Sequence, residues 1–433
     1  NALLDRSVPV SKSFFASLKA LGANNVRYVP WFVSTLYGLP APTPATSTST
    51  SWNFTFVQPM FEDVLAATDA TVIPNFSTQP NWLFDTTDYS VPTNPLATDF
   101  GYPKGNVIST TVERQAAYYA RLLSWIVKGE FVDENGVKHT GGPAYPLQYY
   151  ELLNEPNGNC HGQTVQDYSA MFDAMVESIW QVTPNLTFVC GGLSQGGEQD
   201  WAAFLLNASN HNAIGAKAVQ EGYLSFHFYA GASSRTDPVS YEAFFSAADA
   251  WFAGPLADIL ASRASLSPST KLSADELGVI LPDDNNPSAP AFPMVYWNAA
   301  AAKYAYVFAH LAKVGVEIAG ESQLAGNPPL PHWGIQDPQF PSVALLDWNT
   351  GNGTARYWVL KMFVEEFAPG DRLVQSSTAS SPICGVVDGH AGYGNLTITC
   401  ATPSATISSI DFAAFGTPTG TCGAYQHNAS CDA

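Results

Sequence analysis

Basic side chains are scarce in this chain: Lys and Arg together number 18 against 37 Asp and Glu, a formal net charge of −19. A surface with that balance repels phosphate backbones and anionic lipid, so neither nucleic acid nor a membrane surface is expected as a partner. Charge of either sign is sparse, at 13% of residues, while 46% are hydrophobic. Such a chain can bury a large core and is not a disordered polymer. No apolar run reaches the ~18 residues of a membrane helix, so no membrane span is expected. Cysteine is limited to six residues, with no Cys-x-x-Cys pair and no His/Cys cluster to suggest zinc. No metal and no cofactor is therefore expected. The chain opens on Asn1 rather than Met, which fits a processed mature protein.

What is present points to a secretory route. Asn-x-Ser/Thr acceptors occur at Asn53, Asn75, Asn185, Asn207, Asn352, Asn395 and Asn428. Their number suits a secreted or extracellular glycoprotein, a lysosome-like compartment included, carrying N-linked glycans. Four of the cysteines (384, 400, 422 and 431) crowd the C-terminal end and read as a stapled module.

With 433 residues there is room for one α/β barrel of about 250 residues or more and an appendage. Short apolar runs alternate with amphipathic stretches, the rhythm of βα units around a parallel sheet. The spacing predicts helices over residues 10–21, 60–68, 111–128, 165–182, 241–262, 299–314 and 355–367. It predicts strands over 25–32, 71–77, 147–153, 186–191, 222–229, 271–276 and 316–320. That makes seven strands of a (β/α)₈ TIM barrel; no first strand is evident ahead of the residue 10–21 helix. A proline-rich loop spans 327–341, and after about residue 369 the character shifts to short alternating strands. The expected domains are a catalytic barrel over 1–369 and a small all-β, disulfide-stapled region over 370–433.

Barrel sites form at the C-terminal ends of the strands. Two glutamates stand there: Glu155, after the fourth strand and preceded by Asn154, and Glu276, at the end of the seventh. Retaining glycoside hydrolysis needs two carboxyl groups about 5–5.5 Å apart, one to protonate the leaving oxygen and one to attack the anomeric carbon. An Asn-Glu-Pro turn alone is weak evidence; its pairing with a second strand-terminal Glu carries the reading. Asn154 is placed to bind the sugar 2-hydroxyl. Arg27, within the strand Val26-Arg27-Tyr28-Val29, needs a carboxylate partner if buried, and the nucleophile fits. His227 and Tyr229 alternate with Phe228 and share a face. Tyr229 is expected to donate to Glu276, while His227 is either part of the site or a satisfied core histidine. Trp31, Trp82 and Trp333 fall in barrel-top segments suited to stacking on a sugar, or to plain packing. Glu321, ending the eighth strand, is expected to bind substrate hydroxyls. Asp275 should point away from the nucleophile beside it. Asn75 sits at the end of the third strand, so it is weighed as a site residue rather than a glycan carrier. Only Arg27 and Arg235 are basic residues near the expected mouth. An acidic sugar would want a free cation, which favours a neutral one.

The stretches Asn25-Val26-Arg27-Tyr28-Val29-Pro30-Trp31, Ser51-Trp52-Asn53-Phe54-Thr55, Glu151-Leu152-Leu153-Asn154-Glu155-Pro156-Asn157 and Asp275-Glu276-Leu277-Gly278 resemble clan A glycoside hydrolases, family 39 in particular, which holds β-xylosidases and α-L-iduronidases. The resemblance spans roughly residues 10–370. It implies Glu155 as acid/base and Glu276 as nucleophile of a glycan hydrolase acting on a cell-wall or matrix glycan. A catalytically silent carbohydrate-binding or structural glycoprotein on the same barrel is the alternative. Residues 407–418, followed by Gly420-Thr421-Cys422-Gly423, are similar to the start of the galactose/rhamnose-binding lectin domain that ends plant β-galactosidases. That resemblance covers residues 400–433 and implies a Cys400–Cys431 disulfide, with Cys384 the nearest partner for Cys422. Cys160 and Cys190 follow neighbouring strands and either pair, or leave Cys190 as a buried free thiol.

Overall fold

The structure, a computed structural model, describes residues 9–30, 43–55, 57–77, 109–158, 164–326 and 340–367, with Arg6, Ala41, Pro80 and Leu83 besides. The chain divides after Phe367 into two units. The second, Ala368–Ala433, lies outside the described residues, and with it the lectin-like stretch and Cys384, Cys400, Cys422 and Cys431. Cys160, Trp31, Trp82, Trp333, Asn395 and Asn428 also lie outside them.

Helix α1 (Ser11–Leu21) buries Phe14, Leu18 and Leu21, a stripe at i, i+4 and i+7. It stops at Gly22, whose φ of 70° is the left-handed conformation that glycine adopts without a Cβ clash. Strand β1 (Asn25–Tyr28) follows, then α2 (Val57–Ala66) and β2 (Thr71–Pro74), and the two strands pair in parallel. Helix α3 (Ser109–Lys128) leads to a hairpin of β3 (Glu130–Val132) and β4 (Lys138–Thr140). Sequence periodicity did not foretell this hairpin. Its signal is the turn Asp133-Glu134-Asn135-Gly136, in which Asp133 accepts from the backbone N–H of Asn135 and Val137.

Five further strands form one parallel sheet in chain order: β5 (Tyr149–Glu151), β6 (Thr187–Leu193), β7 (Tyr223–Ala230), β8 (Lys271–Val279) and β9 (Ile318–Glu321). Helices carry each crossover: α4 (Val165–Val182); α5 (Glu198–Leu205) and α6 (Ala213–Glu221); α7 (Ala243–Ala253) and α8 (Pro255–Leu266); and α9 (Val295–Val314). Helix α10 (Ala355–Glu366) closes the described chain. The sheet curls into a half-barrel, with β2 lying against β5 and β1 against β9. These are the seven parallel strands expected from sequence, and among the described residues no strand precedes α1.

Strands covered on both faces lose polar alternation, and β7 is buried at seven of its eight positions. The helix expected over 241–262 is two, because Pro255 opens α8 and cannot donate into the last turn of α7. Trp52 and Phe54 stack on Tyr118 and Trp125 of α3, at 5.4 and 4.3 Å between ring centroids. The family-like stretch at residues 51–55 therefore packs the barrel wall.

Candidate active site

Four strands bring the expected residues together around Arg27. Its side chain rises from β1, only 11% exposed, and spends every arm on an acceptor. Nε donates to Glu151 Oε2 at 2.5 Å, one terminal nitrogen to Glu276 Oε2 at 2.7 Å, and the other to Asn154 Oδ1 at 2.6 Å. A guanidinium fits this task because its donors are fixed in a plane. Asn154 thus orients through Arg27, and Glu151 was not foreseen. Glu151 is wholly buried and also accepts from Asn75 Nδ2 and Ser225 Oγ. Asn75 is itself fully buried and donates to Leu153 O as well. It is a support of this cluster and not a surface glycan acceptor.

The turn after β5 presents Glu155. Leu153 and Glu155 adopt left-handed backbone, with φ of 61° and 50°, uncommon for residues with a Cβ and frequent at functional sites. The turn is held because Glu155 N–H donates to Gly192 O at 2.7 Å. Gly192 permits the approach, since a Cβ there would stand 2.9 Å from Leu153 O.

From β7, His227 Nδ1 lies 2.9 Å from Glu155 Oε1, and its Nε2 lies 3.7 Å from Glu276 Oε2. Burial pulls the imidazole down, but the charge of Glu276 and the bond to Glu155 outweigh it and lift the pKa to about 9. His227 is thus an imidazolium at neutral pH. Tyr229 donates to Glu276 Oε1 at 2.5 Å and contacts Ser322 Oγ. Burial pushes the Glu276 carboxyl up, yet His227, Arg27 and the Tyr229 hydrogen bond bring it below its ordinary value. One ligand atom from each of Glu155, His227 and Glu276 falls within 4.8 Å of the others. Such a trio resembles a cation site, but Arg27 already donates to Glu276 Oε2 there.

Several expectations are corrected. Asp275 does not turn away: its carboxylate lies 3.5 Å from Arg27 Nε and 3.6 Å from His227 Nε2. The cause is an irregularity in β8, where the pairing with β7 shifts register between Ser225 and His227 and the pairing with β9 shifts between Ala274 and Leu277. A bulge breaks the strict alternation of strand side chains. Glu321 is not brought to the cluster. It bonds the Tyr304 hydroxyl of α9 and lies 4.0 Å from Arg356 of α10, with its side chain 2% exposed. Burial lifts its pKa to about 8. Arg235 does not offer a free cation either, being tied to Asp284, Pro282 O and Pro290 O. Cys190 is a buried free thiol, so its pairing with Cys160 does not hold. The expectation that the chain has no Gly-x-Ser-x-Gly elbow is wrong at the level of sequence, because Gly192-Leu193-Ser194-Gln195-Gly196 runs from the end of β6 towards α5. Ser194 Oγ donates to Asn157 Oδ1, and among the described residues no histidine hydrogen-bonds it, so a serine nucleophile lacks its base there. Among the acceptor asparagines, Asn53, Asn185 and Asn352 are exposed, while half-buried Asn207 caps the short helical turn Ala208–Asn210.

Comparison places this arrangement in a known class of fold. No family model and no curated protein matches the chain. Solved structures do. The GH39 enzyme of Xanthomonas axonopodis pv. citri aligns at 13% identity and TM-score 0.52, over 84% of this chain and 63% of that one. A monomeric beta-xylosidase of Caulobacter crescentus CB15 aligns at 12% and 0.52, over 84% and 65%. The GH51 arabinofuranosidase of Xanthomonas axonopodis pv. citri aligns at 15% and 0.51, over 81% and 65%. At such identities the likeness is one of fold, and the chain spans under two thirds of the length of these proteins.

Proposed function

We propose that the protein is a retaining glycoside hydrolase built on a complete (β/α)₈ barrel, with Glu276 as nucleophile and Glu155 as general acid/base. The observation that carries the reading is the approach of the two carboxylates within 4.8 Å, Glu155 from the turn after β5 and Glu276 from within β8. That spacing suits double displacement; inversion needs about 6.5–9.5 Å to seat a water. The environments of the two carboxyl groups differ. Glu276 is drawn toward ionisation by Arg27, His227 and Tyr229. Glu155 is the more open group, at 32% exposure against 18%, as suits a residue that exchanges protons with leaving group and water.

Glu155 gives its proton to the glycosidic oxygen while Glu276 forms a bond to the anomeric carbon and the leaving alcohol departs. Glycosylation of Glu276 converts its carboxylate to a neutral ester and so removes a negative charge beside Glu155. Glu155 then takes a proton from water, the oxygen attacks the anomeric carbon, and Glu276 is released. Among the described residues the site arginine is fully engaged, which favours a neutral sugar of a cell-wall or matrix glycan. The exposed acceptor asparagines fit a secreted glycoprotein.

Glu276→Gln is expected to abolish turnover on every substrate. Glu155→Gln should depress hydrolysis of poor leaving groups far more than of activated aryl glycosides, by about 10²–10⁴-fold. Steady-state rates on a matched pair of leaving groups check this; near-wild-type rates in both variants would sink the assignment.

A further inference from the structure

Three carboxyl groups surround Arg27, those of Glu151, Asp275 and Glu276, and they are unequally supplied with donors. Glu151 accepts from Arg27, Asn75 and Ser225. Glu276 accepts from Arg27 and Tyr229. Asp275, with its side chain 3% exposed, has Arg27 Nε no nearer than 3.5 Å and His227 Nε2 no nearer than 3.6 Å. Its Oδ1 has no hydrogen-bond partner among the described residues. A buried carboxylate without donors is costly, whereas the protonated form is itself a donor. Both carboxyl groups crowd one nitrogen, Arg27 Nε, with Glu151 Oε2 at 2.5 Å and Asp275 Oδ2 at 3.5 Å, and a proton held between two such groups relieves their repulsion.

We propose that Asp275 is a positioning residue held as a neutral carboxylic acid, donating its proton to Glu151 and thereby leaving Arg27 and His227 to orient Glu276 and Glu155. The catalytic consequence rests on the function proposed above; the location of the proton does not. The groups that face Asp275 are Arg27 of β1, Glu151 of β5, His227 of β7 and Glu276 of its own strand, while Gly320 of β9 backs onto its main chain. Burial, then the charge of Glu151, hold the Asp275 carboxyl well above the usual range. Burial also pushes Glu151 up, but Arg27 and the Asp275 hydrogen bond bring it below its ordinary value. An ionised Asp275 would instead compete with Glu151 for Arg27 Nε and with Glu276 for His227 Nε2. The irregularity in β8 is what sets both acids on this one arginine.

The test is carbon-13 NMR of the whole protein labelled at aspartate carboxyl carbons. One aspartate should keep the chemical shift of a protonated acid at neutral pH and vanish in Asp275→Asn. Asn supplies an N–H donor in place of the O–H, so kcat/KM should stay within about threefold of wild type, while Asp275→Ala loses at least about tenfold in kcat. Absence of a protonated aspartate signal in the wild type overturns the proposal, and needs no variant to fold. So does an Asn variant as impaired as the Ala variant. If the signal is present but Glu276→Gln turns over normally, the proton stands and the assignment of the nucleophile falls.

Discussion

Arg27 shows how far single side chains were legible. A charge inside an apolar strand had to find a carboxylate, and Glu276 is one of its partners. The shared face of His227 and Tyr229 followed from alternation, and both reach the glutamates. Asp275 was misplaced by that same rule, and Glu321 by its position at a strand end. The irregularity that turns Asp275 inward leaves no mark in residue type, and Glu321 pairs with Leu277 on the helix-facing side of the sheet. Glu151, Ser225 and Ser322 went unassigned because each acts through another residue, whereas Asn75 was weighed as a site residue from its place at a strand end. Gly278 is a further case. A Cβ there would stand 2.3 Å from the Tyr229 ring, so glycine lets the tyrosine lie flat and reach Glu276. Gly278→Ala should therefore lower kcat about 10–100-fold, matching Tyr229→Phe, with the double variant no worse than either. A Gly278→Ala enzyme at the wild-type rate would refute the role given to Tyr229.

Among elements, all seven parallel strands were legible because buried runs bounded by turn residues are a strong signal. The β3–β4 hairpin was missed because three-residue strands are too short to show periodicity. The residue 51–55 segment reads in sequence as a family signature, while in the fold Trp52 and Phe54 pack against α3 and Phe131. Phe54→Ala should cost about 2–3 kcal/mol of stability, the lower range for losing a large side chain, because Phe54 is only half-buried. Denaturant unfolding measures the cost, and turnover per folded molecule should be unchanged. A large loss of turnover without loss of stability would place this segment in the site instead.

For the molecule as a whole, buried titrating groups set a pH dependence. His227, at about 9 in the fold, contributes stability that is complete below its ordinary value of 6.5 and is lost as pH rises through 9. Glu321, at about 8, is protonated in the fold, so its contribution is complete below 4.5 and is lost as pH rises through 8. Lys303, lowered to about 7 by burial, acts oppositely and only from pH 7 to 10.5. The thermal midpoint should fall from pH 5 to pH 8, and Glu321→Gln should flatten that fall; a midpoint rising across this range would contradict the buried states assigned here.

The chemistry itself is tested most directly by trapping. A panel of 2-deoxy-2-fluoro aryl glycosides, incubated with the intact protein, should leave one glycosyl group bound through an ester to Glu276. Peptide mass mapping would locate it on the segment bearing Asp275-Glu276-Leu277, and it should be absent in Glu276→Gln. An adduct on any other residue, or product of inverted anomeric configuration from a turned-over substrate, would contradict the account.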